Sequence, residues 1–554
     1  MSEPRTVASE RWADFVAAYL EGHFVAHPSF AAGAGRHELD GRLPDWSAAG
    51  LAAEARRLAA ARDGALAFAP ETLGRDERFE REALLAHLDG ERFWLEEAAA
   101  PATNPLFYSA PLDPNLYLAR DYAPLADRLR AYLAYARAVP RAAAEIRERL
   151  RPPLARPMAD VGRATFGGLA SYYEEDVPAA FAPLFERSAG GGRRAELAAA
   201  NAEAAAAMRG LDAWLAEAEV VENGGFALGP ERFAAMLRAT ERVEVPLARL
   251  KRAGEEELER NLTALRAAAA RYAPGVPVAA AIARAQAEKP ADGPVAEARR
   301  QVETLRDFVV ARDLVGIPDG GSLRIEEAPP YQRWNAAYID IPGPFDRDLP
   351  SIYYIAPPDP AWSATERAAY LPGTAELLFT TVHEAWPGHF LQFLHSNRAA
   401  SPVGRLFVSY GFAEGWAHYA EELVWEAGLG DGDPLVELGL LQNSLLRNVR
   451  FLVAIGLHAE GMTLEEAERR FREQAFLDPR SARQQAHRGA FDPAYLNYTL
   501  GKLMVRKLRA DWTAACGSAD RRSFHDRLLS YGGPPLPLVR RAMLGDGDGS
   551  GDLL

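Results

Sequence analysis

Along most of the chain, apolar residues recur at spacings of three and four, the period of a helix with one buried face. Ala, Leu, Arg and Glu fill these stretches, and all are strong helix formers. The pattern predicts a helix from Ser9 to about His23 and others over 47–62, 77–98 and 194–217. Residues 123–151 read as two helices broken near Pro140, because proline removes a backbone donor. Residues 229–272 read as two more, the second starting after Pro246, and 294–313 as another. Over 315–360 the helical repeat gives way to Gly, Pro, Tyr and Ile. Runs at Leu323–Ile325, Ala336–Ile341 and Ser351–Ile355 predict a small sheet or ribbon of about three strands. The helical period returns from about Thr374 to Met543. The predicted fold class is therefore mainly α, a multi-helix body with a small sheet.

Length and turn chemistry divide the chain further. At 554 residues it exceeds one compact unit. We read residues 1–290 as an N-terminal helical region forming one wall of a cleft. Residues 291–543 are the catalytic region, and 544–554 a solvated tail. Ser188–Arg193 is a flexible Gly-rich link without the Gly-Lys-Ser/Thr ending of a phosphate loop. Asp546–Gly551 matches the opening of a calcium loop, but the glutamate needed at its twelfth position is missing.

Composition excludes several classes. Lys and Arg total 63 against 77 Asp and Glu, a net charge of −14, which disfavours binding to phosphate backbones. The lone cysteine, Cys516, excludes an intramolecular disulfide and leaves little room for a Cys-based zinc site. No run reaches the roughly 20 apolar residues a membrane helix needs. The start lacks the charge and apolar pattern of a secretion signal. The expectation is a cytoplasmic protein, monomeric or homodimeric, with neither nucleic acid nor membrane as partner. No Gly-x-Ser-x-Gly elbow argues for a serine hydrolase.

The informative segment is Leu377–Gln392, which holds His383, Glu384 and His389. In the common zinc helix, two histidines four apart share a face and a Glu beside the first acts as base. Here they are six apart, which leaves them about 120° off one face of a regular helix. They converge only if the helix is distorted between them, and Pro387-Gly388 supplies a distortion. The bland alternative is a helix that ends at Trp386, with two ordinary polar histidines. Downstream, Glu414 sits among apolar residues in Gly411–Leu423. Its spacing lets an antiparallel helix carry it back beside the histidines, with Ser401–Gly404 as the turn. A core acid paired with an arginine is the other reading. His418, one turn on, is either a further ligand or a residue behind the ligands.

His383-Glu-Ala-Trp-Pro-Gly-His389 followed by Glu414-Gly-Trp-Ala-His-Tyr-Ala-Glu421 resembles the HExxPGH and EGWxxYxE motifs of the bacterial domain-of-unknown-function family 885. The likeness continues through Arg447–Arg450, Gly456–His458, Arg488–Lys502 and Lys507–Arg509. It implies a mostly helical fold similar to the channel-bearing gluzincin peptidases, which hold zinc with two His and a Glu and cut short peptides. The expected ligands to Zn2+ are then His383, His389 and Glu414, with Glu384 as the base that takes a proton from zinc-activated water. Tyr498 is the leading donor to the oxyanion, with His458 and His487 behind it. Arg447, Arg450 and Lys502, near Tyr495, are candidates to hold a substrate carboxylate. The competing reading pairs the arginines with Glu421, Glu422 or Glu426. Ser351–Ile355 offers a sheet edge to an extended peptide, or is a buried strand. Two alternatives to a peptidase stand beside this reading. One is a hydrolase of non-peptide amides, and the other a non-catalytic peptide- or partner-binding protein on a degenerate zinc fold.

Overall fold

Pro140 does not break the helix that contains it. In the computed structural model, Leu125–Arg149 is one continuous helix, which corrects the expected pair. The missing backbone bond costs roughly 3 kcal/mol. The buried stripe of Leu129, Tyr132, Ala136, Val139, Ala143 and Ile146 runs past it on both sides. Burying side chains of this kind contributes about 1.5–3 kcal/mol for each large one, so packing outweighs the proline. The structure describes residues 7–186, 191–222, 224–329, 333, 336–517, 520–545 and 553–554. Of the Gly-rich link expected at 188–193, residues 188–190 lie outside these residues and Gly191–Arg193 instead open a helix, while the calcium-like loop and most of the tail lie outside.

The chain divides into two units, Met1–Phe226 with Pro342–Leu349, and Ala227–Ile341 with Pro350–Leu554. The first is helical, opening with Val7–Ala26, Ala48–Leu66 and Arg75–Arg92. Its longest helix, Arg156–Glu186, keeps Pro178 and Pro183 inside it and packs against Gly191–Glu217. Buried tyrosines tie these helices together. Tyr132 donates to Asn201 Oδ1 at 2.6 Å, and Tyr173 donates to the Leu112 carbonyl at 2.8 Å.

The second unit carries the candidate chemistry. Its elements used below are α1 (Leu247–Tyr272), β1 (Leu323–Glu327), β2 (Ala337–Asp340), β3 (Ser351–Ile355), α2 (Thr374–Glu384), α3 (His389–Ser396), α4 (Tyr410–Glu426), α5 (Pro434–Ala459), α6 (Pro479–Phe491) and α7 (Asn497–Cys516). The three strands expected from the sequence all form, in the order β1–β3–β2. Strand β3 pairs in parallel with β1, Ile325 opposite Tyr353, and antiparallel with β2, Ile339 opposite Tyr353. Both of its edges are taken and all five residues are buried, so β3 is a structural strand and offers no edge to a peptide. Of the two readings of this run the buried strand holds, and a run apolar on both faces is the mark of a central strand.

Helix α5 is buried almost throughout from Leu438 to His458, as expected of a helix apolar on all sides. It packs against α1 and α2. Polar cross-links fix the register: Asn261 donates to Asn448 Oδ1 at 2.7 Å, and Asn448 donates to Thr499 Oγ1 at 3.3 Å. Among the described residues no helix is long and apolar enough to cross a membrane.

Candidate metal centre

Helix α2 ends at Glu384, and the chain restarts as α3 at His389. Between them Ala385 leaves the helical region at φ −114°, ψ −87°, and Gly388 takes φ −74°, ψ −132°. The turn is pinned from two sides. Gly388 N–H donates to the Val382 carbonyl at 3.0 Å, and Trp416 Nε1 donates to the Pro387 carbonyl at 2.8 Å. A side chain at 388 would overlap the carbonyl oxygens of Val382 and His383, so only glycine fits. The interruption brings the His389 ring to 4.8 Å from the His383 ring, nearly perpendicular to it at 86°.

Helix α4 supplies the acids. Glu414 and Glu421 are seven residues apart, two turns, so both project from one face. They bracket His383: Nδ1 lies 2.8 Å from Glu421 Oε1, and Nε2 lies 3.2 Å from Glu414 Oε2. Glu421 Oε1 also accepts from Arg447 Nη2 at 3.1 Å. A carboxylate holding that arginine is an acceptor, so Nδ1 is the protonated nitrogen and donates to it. The Nε2 lone pair then faces Glu414, whose Oε2 lies 3.4 Å from His389 Nε2. One ligand atom from each of His383, His389 and Glu414 lies within 4.8 Å of the others. Three electron pairs turned on one point need a proton or a cation between them. Two histidines and a carboxylate are a donor set that suits zinc and leaves a coordination position open.

Electrostatics agree with the geometry. Burial opposes ionisation of Glu414, but His389 and His383 outweigh it and hold its carboxyl well below the usual range. Burial and Arg447 oppose a charged His383, yet Glu414 and Glu421 lift its pKa to about 9. A proton and a divalent cation would therefore compete for the same place, and an ion bound there would displace a proton. Glu384 lies outside the converging group. Burial, assisted by Glu414, raises its pKa above the usual carboxylate range against the pull of His389 and His383.

Tyr498 enters from α7. Its ring stacks on His383 at 6.0 Å between centroids. Burial and Glu414 push its pKa up, so the phenol keeps its proton and can donate. Its placement depends on a backbone contact. A methyl on Gly415 of α4 would overlap Gly501 of α7, and one on Gly501 would overlap the Gly411 carbonyl. The two helices touch there with no side chain between them.

The remaining predicted residues separate. Lys502 is fully buried and bonded to Glu257 at 2.6 Å, with Glu422 at 3.3 Å, in a cluster completed by Arg260 and Arg506. Its charge is already matched, so it is a structural cation and not a substrate anchor. Tyr495 is fully buried, with its hydroxyl packed over Gly489. His458 Nε2 bonds the Gly489 carbonyl at 2.7 Å and holds α5 to α6. Both belong to the core. His487 is half-buried on α6. His418 is buried with Nδ1 3.5 Å from Glu421 Oε2, behind the ligand group and outside it. Arg447 is taken by Glu421, while Arg450 finds none of the three acids considered for it.

Glu421 is the residue that motif reasoning undervalued; the two-turn spacing from Glu414 is the signal that points to it. Groups that orient a metal-binding histidine typically change affinity by about 10- to 100-fold when removed. Glu421→Gln is therefore expected to weaken zinc binding by about that factor, read by competition with a chelating dye. It also leaves Arg447 buried without its counter-charge, so thermal stability falls too.

A family match now joins the geometry. The bacterial proteins of unknown function designated DUF885 match residues 28–543. The chain belongs to this family. A comparison with curated proteins finds no match. Among solved structures, this DUF885 protein is similar to a putative lipoprotein of unknown function from Shewanella oneidensis. The two share 22% identity at TM-score 0.78, over 96% of this chain and 99% of that one. It is similar also to a putative lipoprotein from Colwellia psychrerythraea, 18% identical at TM-score 0.78, over 97% and 99% of the two chains. At these identities the likeness establishes the shared fold of the DUF885 protein and nothing of its chemistry.

Glu241 closes the N-terminal end of α4. It is buried and accepts from Gly411 N–H at 3.0 Å and from Asn497 Nδ2 at 3.3 Å. Burial pushes its pKa up to about 7. The folded protein then keeps a proton that the unfolded chain sheds above about pH 4.5. The stabilisation is whole below that pH and fades as pH rises through 7, by up to about 3 kcal/mol. Urea denaturation at pH 5 and pH 8 should show this decline, flattened in Glu241→Gln.

Proposed function

We propose that this DUF885 protein is a zinc-dependent hydrolase, a metallopeptidase that cuts short peptides. The observation that carries the reading is the convergence of His383, His389 and Glu414 with Glu384 beside them. Those three residues would hold the ion, which when bound supplies Lewis acidity toward a carbonyl and lowers the pKa of water. Glu384 takes the proton from the attacking water and delivers it to the departing amine. The Tyr498 hydroxyl, kept protonated by its surroundings, donates to the oxygen that gains charge at the tetrahedral stage. Glu421 holds His383 by Nδ1 and keeps Nε2 as the ligating atom. The fold reading that accompanies this proposal is a gluzincin-like helical peptidase.

Protein purified without a metal-affinity tag is to be assayed for metal and incubated with a mixture of short peptides, with products read by mass spectrometry. The expected result is about one zinc per chain and new cleavage products, both lost in His389→Ala. No stoichiometric metal after incubation with zinc would remove the metal-dependent reading. Zinc without peptide products would redirect it to non-peptide amides.

A further inference from the structure

Three buried cations lie along α5 and α7 near Tyr498, and two of them are neutralised. Arg447 meets Glu421, and Lys502 meets Glu257 and Glu422. Arg450 is different. It is only 7% exposed, and among the described residues no carboxylate lies within 4 Å of it. Among the described residues its one hydrogen bond runs from Nε to the neutral amide oxygen of Gln485 on α6, at 2.8 Å. The next cation, Arg488, is paired with Asp492 at 3.1 Å and donates to the Tyr410 hydroxyl, so it brings no spare acid to Arg450. Burial and the neighbouring charge of Arg488 weigh against the Arg450 cation. A buried guanidinium without a counter-charge is a costly arrangement that an incoming anion relieves.

Geometry gives that anion an identity. Gln485 occupies Nε and fixes the guanidinium plane without cancelling its charge. The two terminal nitrogens remain as a fork that matches a carboxylate. The guanidinium lies over the Tyr498 ring at 5.0 Å, and the same ring stacks on His383 at 6.0 Å. Arg450 therefore stands within about 11 Å of the His383 ring, a span that fits one or two extended residues between a reacting carbonyl and a terminal carboxylate.

We propose that Arg450 anchors the free C-terminal carboxylate of a peptide substrate, so that cleavage releases one or two residues from that end. This rests on the hydrolase reading above and adds the class and direction of the substrate. Tyr498 then serves both sites, with its ring under the anchor of the released piece and its hydroxyl as donor to the reacting carbonyl, which stays on the other fragment and becomes its new carboxylate. Arg450 is a specificity residue and takes no part in proton transfer.

The test uses zinc-loaded Glu384→Gln protein, so that retention is read without turnover. A randomised tetrapeptide pool is made once as free acids and once as C-terminal amides. Each is incubated with the protein, and retained peptides are quantified by ultrafiltration and mass spectrometry. A charge-assisted hydrogen-bond pair should enrich the acids over the amides by about ten- to a hundredfold. Adding Arg450→Gln should bring the two pools to parity at unchanged zinc content, and Arg450→Lys should restore part of the preference, since it keeps charge but loses the fork. Equal retention of acids and amides, retention of neither, or a preference that survives Arg450→Gln would overturn the assignment. Peptide products from the protein with Glu384 intact, beside no carboxylate preference in the Glu384→Gln protein, would leave the hydrolase standing and remove the anchor. A preference without products would do the reverse.

Discussion

Glu384→Gln should abolish hydrolysis while leaving the metal in place. Glu384 closes helix α2 directly after His383, yet it is not among the atoms that converge on the proposed ion. Its carboxyl is buried and its pKa is raised mainly for that reason. A glutamine of nearly the same shape preserves the packing and removes the ability to take a proton. General-base catalysis contributes roughly 10²- to 10⁴-fold, so kcat should fall by about that factor. Zinc content and thermal stability should stay near those of the parent. Joint loss of zinc and activity would make Glu384 a ligand or a structural acid. Activity retained within about tenfold would assign the base elsewhere.

Gly388→Ala should empty the metal site without touching a ligand. The backbone there is not left-handed, so the argument is purely steric: the new methyl has no room beside the carbonyls of Val382 and His383. Those oxygens belong to the last turn of α2, and one of them to a proposed ligand. Either the turn opens and swings His389 away, or α2 shifts and takes His383 with it. A constellation of this kind tolerates only about 0.5 Å of displacement. We expect zinc stoichiometry to collapse and stability to drop by more than about 2 kcal/mol, a magnitude typical of overpacking a buried site. Metal analysis and thermal unfolding read the two effects. An alanine variant with full zinc and an unchanged Tm would show that the turn adjusts freely.

Much of the helical framework was legible because long amphipathic periods survive local exceptions. Pro140 shows the limit: a breaker inside a strong buried stripe loses to packing, and only the tertiary neighbours reveal which side wins. Strand Ser351–Ile355 was visible as a strand, and its run apolar on both faces favoured a central place, which the partner strands on its two edges then decide. The converging residues were readable for a different reason. His383, Glu384 and His389 lie close in sequence, and Glu414 follows at the distance of one helical return. Glu421 was in view as an ion-pair partner, and its place on His383 needed the two-turn spacing to be set against a second helix. Arg447, Arg450 and Lys502 looked alike. Which of them is neutralised is decided by Glu257, Glu421 and Glu422, and Glu257 is far away in the chain.

The contact of Gly411 and Gly415 with Gly501 sets backbone against backbone. Atoms at such a crossing have no rotamers to exchange, so the two helices cannot adjust by repacking side chains. Glu414 and Tyr498, each within one turn of the crossing, are thereby carried on what amounts to a single rigid part. Substitutions elsewhere in the core can accumulate and alter stability, yet the distance between these two groups stays fixed until one of the glycines changes. The overall fold is shared with solved structures about a fifth identical in sequence, and in this chain the spacing of the two groups hangs on three glycines and on little else.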